Sequence, residues 1–357
     1  MIRWRRGIVD ALHREWTGAI ELTVTVEGGE SRLALAYPAL IGRPQPGDTV
    51  LLNTSAQDLG LGTGGYALVV ALPDRPPPSG TDPPGHVVKA RYTPLQVRVP
   101  AIDEQGSAHH HLLRDADDLA GLPVVIADLH SALPAVLAGV RADTPHARVA
   151  YVMTDGGALP LWFSRTVAAL RGAGALAGTV TVGQAFGGDE EAVTLHTGLL
   201  AARLVLGADV VVVAQGPGNM GTGTRWGFSG VACGEAVNAV AALGGRPVAT
   251  LRVSAVDGRA RHRPVSHHSL TAYGRVALAP ADIVVPTLEE PLRAQVAAAI
   301  APLAARHRLV EVPLDGLEDA LRASPAELCT MGRGFDDDPA YFLAQAAAGR
   351  HAAALIG

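Results

Sequence analysis

Six side chains able to carry protons or hold a metal fall at the ends of apolar runs: Asp128, His130, Asp155, Asp189, His267 and His268. Asp128 and His130 close PVVIADLH, Asp155 closes RVAYVMTD, and Asp189 follows GTVTVGQAFGG. His267 and His268 lie in RARHRPVSHHSLTAYG, a long stretch without helical pattern after PVATLRVS. A carboxylate can ligate a metal or orient an imidazole, and an imidazole works as general acid, general base or metal ligand near neutral pH. Each position also has a plainer use. Asp128 reads equally as the cap of a helix starting at Leu129, and Asp189 with Glu190 as the acidic head of the next helix. His130 is harder to assign to packing, because a helix start favours the neutral, proton-accepting imidazole. Adjacent side chains diverge, so one of His267 and His268 is expected to face a shared site. His109, His110 and His111 are three in a row and cannot all face one metal; they predict a solvated loop.

The stretch from Leu206 to Gly245 supplies a different kind of site. Val210 to Ala214 has no polar face, as in a buried parallel strand, and a loop with Gly216, Gly218, Gly221 and Gly223 leads into a helix expected from near Trp226 to Leu243. Backbone N–H groups and the positive helix end would converge there on an anion, with Thr222 and Thr224 as hydroxyl donors. Gly156 and Gly157 behind Asp155 would let backbone approach the same ligand. Lys89 is the one lysine among 29 basic residues, which marks it as a candidate ligand-binding point charge. Arg259, Arg261 and Arg263 would suit a phosphate or carboxylate. No GxSxG elbow, GxxxxGK[ST] loop or HExxH helix is present, which removes the standard serine hydrolases, P-loop NTPases and zincins.

These residues need elements to hold them. From Leu122 onward strand and helix patterns alternate, with strands expected at 123–128, 148–154, 178–184, 209–215, 247–254, 282–286 and 308–313. Such alternation predicts a doubly wound, mostly parallel α/β sheet over 120–357, closed by an Ala-rich C-terminal helix. In an open sheet of this kind ligands bind beyond the carboxyl ends of the strands, so the six residues are expected to line one cleft. Residues 1–100 read differently. RGIVDAL, AIELTVTV, SRLALAYP, DTVLLN and YALVVAL predict five short strands, a small all-β, barrel-like domain with a hairpin at Glu27–Glu30. Prolines and glycines at 73–85 predict a linker, and Gly60, Gly62, Gly64 and Gly65 a structural turn.

Composition narrows the class. A net charge of −5 without a long basic run argues against a nucleic-acid partner, and the apolar runs are far shorter than the ~20 residues of a membrane span. MIRWRR is followed by charged residues where a signal peptide needs an apolar core, and Cys233 and Cys329 match no metal or redox spacing; both predict a cytoplasmic protein with reduced thiols.

LNTSAQDLGLGTGGY, KARYTPLQ, YVMTDGGALPL, AFGGDEEAVTLHTGL, GPGNMGTGTRWGFSG and SHHSLT together resemble a bacterial family catalogued as domain of unknown function 3866. The likeness runs over nearly the whole chain and implies a single architecture, without an activity. The residues themselves predict a hydrolase or group transferase acting on a small anionic or phosphorylated metabolite. A divalent metal is compatible with the donor set and the cofactor is left open, as is a homo-oligomer. The competing expectation is a non-catalytic metabolite-binding or regulatory protein.

Overall fold

The computed structural model describes residues 1–62, 64–78 and 85–357. The expected linker at 73–85 therefore lies, for residues 79–84, outside the described residues. The chain forms two compact units, Met1–Pro100 with Trp162–Ala168, and Ala101–Leu161 with Ala169–Gly357.

The first unit holds a closed barrel of β1 (Trp4–Trp16), β2 (Ala19–Val26), β3 (Ser31–Ala36), β4 (Thr49–Asn53) and β5 (Ala67–Ala71), in the order β1-β2-β3-β5-β4. Alternating residues, among them Val9, Leu22, Val24, Ala34, Val50, Leu52 and Val69, fill its interior, as the period of two requires. Two bulges let the long β1 bend far enough to pair with both β2 and β4 and close the barrel. Gly28 and Gly29, at φ of 104° and 83°, make the turn between β2 and β3. The segment Trp162–Ala168 also packs here: Trp16 Nε1 donates to the Trp162 carbonyl at 2.7 Å. A short antiparallel pair, β6 (Val87–Lys89) and β7 (Val97–Val99), follows the barrel.

The second unit is an eight-stranded, all-parallel sheet with helices. Its strands are β8 (Pro123–Ile126), β9 (Val149–Thr154), β10 (Gly178–Thr181), β11 (Glu190–Glu191), β12 (Val210–Gln215), β13 (Arg246–Ala249), β14 (Asp282–Pro286) and β15 (Arg308–Val312). The order is β11-β10-β9-β12-β8-β13-β14-β15. All four residues of β8 and all six of β12 are buried, because helices cover both faces; that is why these strands read as unbroken apolar runs. The helix Leu133–Asp143 crosses the C-terminal helix Pro339–Ala354 at very short range. A Cβ on Gly139 would lie 1.8 Å from the Ala346 carbonyl oxygen, and one on Gly349 would lie 2.0 Å from that of Val136.

The topology puts a switch point near the middle of the sheet. After β8 the chain moves to one side to build β9–β11, returns to insert β12, then crosses β8 to build β13–β15 on the other side. Right-handed crossovers send helices from opposite-going connections to opposite faces, which leaves a crevice beyond the carboxyl ends of β12, β8 and β13. Register keeps those ends level: Val213 pairs with Ile126, Ile126 with Ala249, and Gln215 with Thr154.

Candidate functional site

Asp128 stands two residues beyond the end of β8, at that crevice, and its side chain is buried. Arg252 arrives three residues beyond β13 and is also buried, at 4% exposure. The chain then loops out and returns antiparallel through the Val253–Val265 bridge, with the Ser266 N–H donating to the Arg252 carbonyl at 2.8 Å. Ser266 caps the one-turn helix His267–Thr271, its hydroxyl accepting from the His268 N–H. This return is what places His267 and His268 over the strand ends.

Both rings face the same point, together with His262. The ring centroids of His267 and His268 are 4.5 Å apart, those of His262 and His267 are 5.2 Å apart, and those of His262 and His268 are 5.0 Å apart. The expectation that one of the adjacent pair would turn away is thus corrected. Residues i and i+1 of a helix diverge by only about 100°, against the half-turn of a strand, and His262 fills the angle between them. His262 Nδ1 pairs with Ser266 Oγ at 2.7 Å, so one serine both caps the helix and fixes an imidazole. His268 Nδ1 lies 3.6 Å from Asp128 Oδ2, and Arg252 Nη1 lies 3.9 Å from the same oxygen.

The glycine-rich loop contributes through its far end. Phe228 stacks on His268, with centroids 3.9 Å apart and rings parallel within 1°. The expected helix start behind the loop is displaced: one 3₁₀ turn, Ser229–Val231, comes first, and the helix proper runs Ala232–Ala242. Ahead of the 3₁₀ turn the loop folds on itself as an exposed turn, with the Thr222 N–H donating to the Gly227 carbonyl and the Gly221–Phe228 bridge closing it. Thr222 and Thr224 hydroxyls are 3.1 Å apart, and Thr224 Oγ1 accepts from the Gly227 N–H. They serve the turn itself. Gly216, Gly156 and Gly157 have a packing reason: a Cβ on Gly157 would lie 2.1 Å from the Gly216 carbonyl oxygen, and one on Gly216 would lie 2.3 Å from that of Ala158. Gly218 and Gly223 take positive φ in the exposed turn.

Other expected site residues are placed elsewhere. His130 is buried against Tyr151, Nδ1 to Oη 3.0 Å, and burial pulls its pKa down to about 4. It opens a three-residue 3₁₀ turn, not the helix itself. Asp155 is exposed and accepts from the Gln184 N–H at 2.8 Å, capping the turn after β10. Asp189 heads no helix, which corrects that reading: it precedes β11, accepts from the Thr179 N–H and hydroxyl at 2.9 Å each, and pairs with Arg171. Thr179 is the second residue of β10, so Asp189 lies at the amino end of that strand, opposite the crevice. The helix that follows is capped instead by Thr194. Lys89 belongs to the first unit, on β6, and is fully buried.

The electrostatics around His262 and His267 favour neutral rings. Burial, then the charges of Arg252 and Arg259, pull the pKa of His262 down to about 3, and burial with the neighbouring His268 and Arg261 lowers that of His267. Asp257 is occupied: Arg259 grips it with Nε at 2.9 Å and Nη2 at 2.8 Å, which holds its carboxyl well below the usual range. Of the ten buried side-chain atoms without a hydrogen-bond partner among the described residues, five belong to this group of residues. Asp128 Oδ2, Gln215 Oε1, Arg252 Nη2, His267 Nε2 and His268 Nδ1 are buried atoms without a hydrogen-bond partner. A cavity of about 20 Å3, enough for one water, is lined by two of these residues, Asp128 and Gln215, together with Thr154, Ser229 and Cys233, and not by Arg252 or the histidines. Native proteins rarely leave such atoms unpaired, and a bound molecule or ion is one account of a cluster of them.

Sequence reasoning passed over His262 and Arg252. The signal for His262 was present in RHRPVSHH, three imidazoles at spacings of five and one across a turn-forming proline. One family model, described as protein of unknown function (DUF3866), matches residues 33–349, which take in parts of both units. No curated protein and no solved structure matches the chain.

Proposed function

The chain belongs to the DUF3866 family, and from that premise we propose that it is an enzyme, a hydrolase or group transferase, acting on a small anionic or phosphorylated metabolite at the carboxyl edge of its parallel sheet. The observation that carries this reading is the group of buried polar atoms on Asp128, Gln215, Arg252, His267 and His268 that make no hydrogen bond. A guanidinium at 4% exposure whose Nη2 makes no hydrogen bond, with Asp257 and Asp128 at the longer distances of 3.7 and 3.9 Å, can still receive a phosphate or carboxylate oxygen through a charge-assisted bond. The imidazoles beside it, backed by Asp128, are the groups to activate an attacking nucleophile. His267, half-buried while its neighbours are closed in, gives the open side. Arg252 thus replaces the glycine-rich loop as the anion receptor in this account, and the loop supports the site by stacking Phe228 on His268.

The test is a turnover screen over phosphate esters, carboxylate esters and phosphoanhydrides, run with the wild type and Arg252→Met. Turnover in the wild type that falls about 100-fold or more in Arg252→Met, with KM raised, supports the reading. Anionic metabolites that raise the melting temperature without any turnover would instead make the protein a metabolite sensor, and equal turnover in both proteins would remove Arg252 from the site.

A further inference from the structure

His262, His267 and His268 offer nitrogen atoms that all lie within 4.8 Å of one another. Donors of one tetrahedral ion with metal–imidazole bonds of about 2.1 Å stand about 3.4 Å apart, so the rings have to close in by up to about 1.4 Å to share an ion. Two of the rings carry the outer support that metal-binding imidazoles need. His262 Nδ1 is held by Ser266 Oγ at 2.7 Å, which leaves Nε2 for an ion. Asp128 Oδ2 stands 3.6 Å from His268 Nδ1, the arrangement in which a carboxylate fixes a ligating histidine from behind. His267 Nε2 is buried and has no hydrogen-bond partner. Phe228, stacked on His268, restricts that ring from the apolar side.

We infer that His262, His267 and His268 form a three-imidazole centre for a divalent transition metal of the zinc class, oriented by Ser266 and Asp128 and open on the side of His267. The inference rests on the same crevice as the proposed activity and gives its histidines their task. Three neutral nitrogen donors select such a metal over Mg2+ or Ca2+, which take oxygen ligands. A three-ligand centre leaves a fourth position, where a water would become the attacking hydroxide or a substrate oxygen would be polarised. Arg252, with Nη2 3.7 Å from Asp257 Oδ2, adds little net positive charge beside the ion.

The full chain, stripped with chelator and titrated with Co2+, is the direct probe. The centre predicts one equivalent bound, intense visible bands of a four- or five-coordinate site, displacement by Zn2+ and none by excess Mg2+. His262→Ala and His267→Ala should each weaken binding at least ~10-fold, and Asp128→Asn about 10- to 100-fold as an outer-shell loss. His109→Ala with His111→Ala should change nothing. Weak octahedral bands, more than one loosely held equivalent, equal competition by Mg2+, or loss of binding only in the His109/His111 variant would overturn the inference; the wild-type spectrum decides even where a variant fails to fold. Turnover that survives complete removal of metal would sink the metal centre alone, whereas a tight stoichiometric metal without turnover would sink the enzymatic reading alone.

Discussion

Replacing His130 by glutamine should flatten the acid limb of the stability curve. The ring is buried against Tyr151, and burial lowers its pKa to about 4 from the ordinary 6.5. Above about pH 6.5 both folded and unfolded states are neutral at this position and it has no effect on stability. Below that value the unfolded chain takes a proton that the folded one cannot, so stability falls as the solution is acidified. The slope is about 1.4 kcal/mol per pH unit down to about pH 4, where the folded ring also protonates, for a total of about 3 kcal/mol. Glutamine retains a group able to pair with Tyr151 Oη and does not titrate. His262, His267 and His307 have lowered pKa values too, but they remain in both proteins and cancel in the difference. Urea unfolding followed by circular dichroism from about pH 7 to about pH 5 should show the wild type losing about 2 kcal/mol more than His130→Gln. Any constant offset between the two proteins is immaterial. Parallel curves would mean that the folded state protonates His130 as readily as the unfolded one, and the buried, structural account of this residue would fail.

Gly349→Ala forces a methyl to within 2.0 Å of the Val136 carbonyl oxygen, so it should destabilise the second unit by about 1–3 kcal/mol or more, whereas Gly172→Ala, with nothing within 4 Å, should be neutral or stabilising; thermal melts compare them. Asp189→Asn should cost about 1 kcal/mol through its links to Thr179 and Arg171, yet leave turnover per folded molecule unchanged, since it lies at the amino end of β10. Thr224→Val should loosen the Gly227 turn, read as faster amide exchange between Gly221 and Gly227, without weakening phosphate binding.

The sheet was legible because strands such as Val210–Gln215 are buried on both faces and must be apolar throughout, and all seven expected strands form. The eighth, Glu190–Glu191, was not, since two polar residues at a sheet edge carry no period. The barrel was legible from alternation, but the attachment of Trp162–Ala168 to its unit was not, because a few aromatic contacts, of Trp162 with Trp16 and Tyr37 and of Phe163 with Tyr66, leave no pattern in sequence. For the site, the strand-end rule located Asp128 at the crevice and misplaced Asp189, whose connection to the next helix contains an extra strand. His130 and the loop threonines show the limit of reading residue type alone: an imidazole or a hydroxyl near a strand end is as readily spent on Tyr151 or on its own turn. Arg252 looked like part of the strand PVATLRVS, whereas β13 ends at Ala249 and releases it to the crevice.

The most direct measurement is a crystal structure of the full chain soaked with Zn2+ and inorganic phosphate, with data collected on both sides of the zinc absorption edge. The account predicts one anomalous peak among the imidazoles of His262, His267 and His268, with Asp128 behind His268 and the phosphate on Arg252. A peak confined to His109–His111, or an empty crevice whose unpaired atoms are satisfied by water alone, would contradict it.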